Sequence, residues 1–105
     1  MDLDPANRSL HLDLADVRAE QGDFAAAVTL VEQGLRHEPH EVSPRAAGAA
    51  YRTRLSGSSD DLKALISLAP ELANTVYRNL LIDHACAGPE LPRGLVAKAR
   101  RIRGS

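Results

Sequence analysis

Three groups of residues in this sequence are of types that do chemistry. His37-Glu38-Pro39-His40 sets two imidazoles beside a carboxylate, with His11, His84 and Cys86 as further donors, and that mixture is the ligand set of a zinc or related transition-metal site. The proline argues against it. Pro39 ends a helix, so His37 and His40 flank a helix terminus instead of sharing a face, and neither a Cys pair nor a His-x3-His spacing accompanies them. His37 more simply complements the negative end of a helix dipole, and no metal is expected. His84 and Cys86 resemble an activated thiol on paper, but residues two apart on a helix point to different faces. Cys86 therefore reads as a structural, mostly buried thiol. A Gly-rich phosphate loop and a G-x-S-x-G elbow are both missing, so the chain is read as no enzyme, with no catalytic residue and no cofactor.

The remaining chemistry is charge. Residues 1–42 hold nine acids and three bases, a balance of −6, whereas residues 43–105 hold five acids and ten bases, a balance of +5, which together make the net −1. Asp13, Asp16 and Glu20 lie at helical spacing near one end, and Arg93, Lys98, Arg100, Arg101 and Arg103 lie near the other. A basic helical tail can contact phosphate or an acidic partner. It carries no stacking aromatic and no helix-turn-helix pattern, so nucleic acid is an unfavoured partner and the alternative is an accessory role through that tail. Opposite ends of opposite charge also suit a homo-oligomer, built head to tail or as a two-fold dimer that pairs the ends reciprocally, and equally suit a contact within one molecule.

These groups must be carried by helices. Ala and Leu are abundant, Trp is absent, and Phe24, Tyr51 and Tyr77 are the only aromatics. β-branched residues come singly, without the alternation of a strand. All-α follows, in one domain of 105 residues and 11.3 kDa. No apolar run approaches the ~20 residues of a membrane span. The start MDLDPANRSL is neither basic nor apolar, so no signal peptide is read and the cytoplasm is the expected location. The Arg- and Ala-rich composition hints at a GC-rich bacterial source.

The spacing predicts a first helix over about Ser9 to Gln21, capped by Asn7, with Leu10, Leu14, Val17 and Gln21 on its inner face. Gly22-Asp23 breaks it, and a second helix with Phe24, Ala27, Val28, Val31 and Leu35 inside runs to about His37. A third begins at Ser43-Pro44, with Ala47, Ala50, Tyr51 and Leu55 inward. After the loop 56–61, Ser59 caps a short fourth helix holding Leu62, Leu65, Ile66 and Leu68. A fifth, from about Glu71 to Cys86, turns Ala73, Val76, Tyr77, Leu80 and Leu81 inward and stops at Gly88-Pro89. The last, about Leu91 to Ile102, is expected to fray.

Pro5 and Pro39 are 34 residues apart. Between them His11, Leu14, Ala15, Arg18, Ala27, Val31 and Pro39 occupy the places of W-x2-L-G-x2-Y, A-x3-F and P, and the stretch resembles a tetratricopeptide repeat. Gly22-Asp23-Phe24 and Gly34-Leu35 fit the same pattern, while His11 and Arg18 depart from its aromatics. A degraded second copy is read at Ala47-Gly48, Tyr51 and Pro70, its proline about two residues early. Residues 1–40 are thus the clear hairpin, 42–70 a degenerate one, and 71–105 capping helices and basic tail. Whether the chain belongs to a longer array stays open.

The resemblance implies a right-handed stack of about five or six helices in antiparallel hairpins, and an adaptor that binds a protein or peptide on its concave face. Leu12, Asp16 and Glu20 from the first hairpin, with Arg45 and Arg52 from the second, are the residues it assigns to that face, Ser9, Ala19 and Ala49 lying beside them. Asp16 and Glu20 would repel a carboxylate. A basic or amphipathic helix is therefore the expected ligand. The alternative is an oligomerisation or regulatory domain of a bacterial regulator, and no membrane partner is expected.

Overall fold

A computed structural model describes residues 8–88 and 90–104, with side chains from His11 onward. Among the described residues the fold is all-α, with six helices and no strand: α1 (Arg8–Glu20), α2 (Phe24–His37), α3 (Val42–Ser56), α4 (Ser59–Leu68), α5 (Thr75–Cys86) and α6 (Arg93–Gly104), with one 3-10 turn at Ala69–Glu71. The cap expected at Asn7, the side chains of Ser9 and Leu10, and Pro89 lie outside the described residues.

Local chemistry sets the boundaries. Gly22, at φ +82°, takes the left-handed conformation that ends α1. Asp23 then accepts the Ala26 N–H at 3.1 Å and opens α2. Between α3 and α4, Gly57 is left-handed at φ +71° and the Ser58 hydroxyl accepts the Asp61 N–H at 3.3 Å, so the cap is Ser58 and not Ser59. The α3 helix begins at Val42, ahead of the expected Ser43-Pro44 start. A proline within the first turn still lacks only an N–H that has no helical partner. Where one helix was expected from Glu71, Ala69–Glu71 makes a 3-10 turn and α5 starts at Thr75, because the Asn74 side chain caps it by accepting the Tyr77 N–H at 3.1 Å. The final helix extends to Gly104, with Ala99 fully buried and Leu95, Val96 and Ile102 against the core.

The α3 helix is central, packing on α2, α4 and α5, while α6 closes against α4 and α5. Alanines make this possible. Ala15, Ala27, Ala46, Ala47 and Ala50 are all fully buried, and the gaps between helices are filled by Val31, Tyr51, Leu62, Leu65, Leu81 and Ile82. Gly48 sits where α3 comes close to α2, since a Cβ there would lie 3.1 Å from Val31 Cγ1.

The inner face of α1 differs from expectation. Ala15 and Ala19 point inward, whereas Leu14 and Val17 are 41% and 51% exposed. Apolar spacing alone selects the largest hydrophobic stripe, but close packing against α2 selects the smallest side chains. Leu55, Ala73 and Val76 are likewise outside instead of inward, Val76 at 77% exposure. The start of α5 at Thr75 resets the helical phase that had placed Ala73 and Val76 in the core.

Candidate functional site

Tyr51 on α3 is fully buried, and its hydroxyl needs an acceptor. Asp16 on α1 supplies one: its Oδ1 accepts from the Tyr51 hydroxyl and, at 2.9 Å, from the Tyr77 hydroxyl on α5. Burial raises the Asp16 carboxyl above its ordinary range and Asp13 adds to this, while the two tyrosine hydrogen bonds and His84 pull the other way. Both tyrosines are pushed far above an ordinary phenol, first by burial; Asp16 raises both and Tyr51 raises Tyr77, while the hydrogen bond with Tyr77 acts against the rise of Tyr51. They are donors at any ordinary pH.

Aromatic and cationic groups extend this cluster. His84 on α5 meets the Phe24 and Tyr51 rings edge-on, at centroid distances of 5.5 and 6.0 Å. Its Nε2 is buried without a hydrogen-bond partner, 3.7 Å from a Glu20 carboxylate oxygen. Arg54 lies 4.8 Å over the Phe24 ring and donates to the His84 carbonyl at 3.5 Å. Asp16 is thereby engaged inside the molecule, and half of Leu12 is covered with it. No local spacing shows this, because Asp16 and Tyr77 are 61 residues apart; two lone tyrosines in an aliphatic core were the one available signal.

Arg45 and Arg52 are on a different side of α3. With Ala49 they line a depression of about 350 Å³ whose other walls are Leu35 and Pro39, from the end of α2, and Ala64 and Leu68, from α4. The five residues expected on one face are thus divided, Leu12, Asp16 and Glu20 on α1 toward α3 and α5, the two arginines toward α2 and α4. The physical reason is the rotation of α3: Tyr51 must point at Asp16, and the residues one position and six positions away from it then face elsewhere. Arg52 is held by Asp61 at 3.2 Å and by Glu32 at 3.8 Å. Arg45 is exposed and meets no acid among the described residues.

The basic tail is partly committed as well. Arg103 donates to both Asp83 carboxylate oxygens through its Nε and one Nη, at 2.5 and 3.0 Å, and Arg101 also has a partner. Arg100 lies near Cys86, in a depression of about 490 Å³ between α5 and α6, where burial raises the thiol and Arg100 acts against that rise. Arg93 and Lys98 are exposed on α6. His11 and His37 stack at 6.5 Å, well apart from His84. Among the described residues no three His, Cys, Asp or Glu side chains gather as a metal site, and no helix is long and apolar enough to cross a membrane.

Comparison with protein-family profiles, with curated proteins and with solved structures found no match for the chain.

Proposed function

We propose that the chain is a tetratricopeptide-like protein-interaction domain, and that its ligand is an amphipathic peptide segment bearing acidic residues, seated in the groove between α2, α3 and α4. The observation that carries this reading is the groove itself: an apolar floor of Leu35, Ala49, Ala64 and Leu68 bordered by two guanidinium groups, one of which, Arg45, meets no acid among the described residues. Apolar anchors give such a segment its affinity, and the arginines select its charge and orientation. Burial of the Asp16 carboxylate among tyrosines speaks against the acidic end as the docking face for a basic helix. The repeat resemblance is supported by the burial of Ala15, Ala27, Val31 and Gly34 at four of the positions that carry it.

The test is fluorescence anisotropy with two labelled amphipathic peptides of the same leucine spacing, one bordered by Glu and one by Lys. The Glu peptide is expected to bind, and Arg45→Glu to weaken it at least tenfold, about 1.4 kcal/mol. Equal binding of both peptides, or binding unaffected by Arg45→Glu, would remove the groove from consideration.

A further inference from the structure

We infer that the outward face of α1 docks the basic outward face of α6 from a second copy of this chain, so that molecules associate head to tail. The inference is independent of the groove, which lies on neither face.

Two observations meet in it. On α1, Leu14 and Val17 project into solvent one turn apart at 41% and 51% exposure. They are two of the four large apolar side chains left outside among the described residues, and Asp13 and Glu20 border them on one flank. On α6, the side opposite buried Ala99 presents Gly94 and Ala97, and no atom stands within 4 Å of where a Gly94 Cβ would be. Arg93 and Lys98, both exposed, lie on either side of that strip, and exposed Arg101 stands at its end, one turn beyond Ala97. Two larger side chains meeting a strip of small ones lets helices approach closely, and acids against bases fix which way round they lie.

One molecule does not make this contact with itself. Leu14 and Val17 remain uncovered, and α6 spends its apolar face on α4 and α5. A second copy is the occupant because the charges are complementary as a whole and not at one pair alone: the first 42 residues balance at −6 and the remainder at +5. A head-to-tail contact leaves one face of each kind free on every assembly and so propagates, whereas reciprocal pairing about a two-fold axis would close at a dimer. A single helix-on-helix contact is small, and its association is correspondingly weak and sensitive to salt.

Sedimentation equilibrium of the whole chain, from about 10 μM to about 1 mM at low salt, reads the association directly. The mass is expected to climb with concentration beyond a dimer and to fall back toward 11.3 kDa at about 1 M salt, where the screening length is ~3 Å. Two charge-reversed chains provide the decisive arm, with folding of each verified by circular dichroism. Asp13→Lys with Glu20→Lys makes both faces basic, and Arg93→Glu with Lys98→Glu puts acids on both sides of the α6 strip as well as on α1. Each is expected to be monomeric alone and the two to associate when mixed. A monomer at every concentration at low salt overturns the inference, and so does an assembly that Leu14→Gln with Val17→Gln leaves unchanged. Neither result bears on peptide binding at Arg45, which the anisotropy experiment reads separately.

Discussion

Replacing Asp16 with alanine removes the acceptor shared by two hydroxyls that come from different helices. The Tyr51 hydroxyl is wholly enclosed, so without Asp16 it keeps its desolvation cost, while the partly buried Tyr77 regains part of its bond from water. Two hydrogen bonds to a charged acceptor are together worth about 3–6 kcal/mol. Part of that is offset, because alanine also abolishes the burial cost that raises the Asp16 carboxyl. The net loss is therefore about 2–3 kcal/mol, a large share of the roughly 5–15 kcal/mol that holds a domain together. Unfolding temperature should drop by about 10–20 °C. Urea and thermal denaturation of Asp16→Ala, Tyr51→Phe and the double variant measure it, with a coupling of about 1 kcal/mol or more expected in the cycle. A variant within about 0.5 kcal/mol of the parent, or strictly additive losses, would refute the account of Asp16 as an internal tie.

Further outcomes follow from the same structure. Because burial raises the folded-state carboxyl of Asp16 above its ordinary 3.8, the stability this group contributes is fullest below that pH and declines as pH rises through the folded value. The stability of the parent relative to Asp16→Asn should thus fall from pH 3.5 toward neutrality, roughly the window in which carboxyls titrate, and a rise over that range would contradict the cause assigned. Gly48→Val forces branched carbon into the 3.1 Å approach to Val31 and should cost about 1–3 kcal/mol in urea denaturation. Cys86 should react with iodoacetamide more slowly than a free thiol at pH 8, since burial raises its pKa; labelling at the free-thiol rate would disprove it.

Much of the fold was legible beforehand because it rests on short-range chemistry. The breaks at Gly22-Asp23, around Pro39 and in the loop 56–61 come from residues whose backbone preferences act within a few positions, and each separates two helices in the structure. Errors arose where two local signals competed. Ser58 and Ser59 can both cap, and only the fit of the Asp61 N–H selects the first. The apolar spacing allows a helix start near Glu71, yet the Asn74 side chain caps the helix three residues later.

Which face of each helix turns inward was a different matter. Leu14 and Val17 form the more apolar stripe, but Ala15 and Ala19 are buried, because the energy of packing depends on the distance between two helices and not on one helix alone. The candidate residues divided for the same reason. Their types and helical positions stand in the sequence, and so do the opposite charges of its two halves. That Asp16 is consumed by Tyr51 and Tyr77, while Arg45 is left facing a groove, was decided by the rotation of α3 against three neighbours at once. The sequence by itself determined the all-α class and most of the helix ends, since those follow from contacts a few residues apart. Only the tertiary structure decided which charges are spent inside and which remain for a partner, since that depends on contacts such as Asp16 to Tyr77, 61 residues apart, that no local spacing encodes.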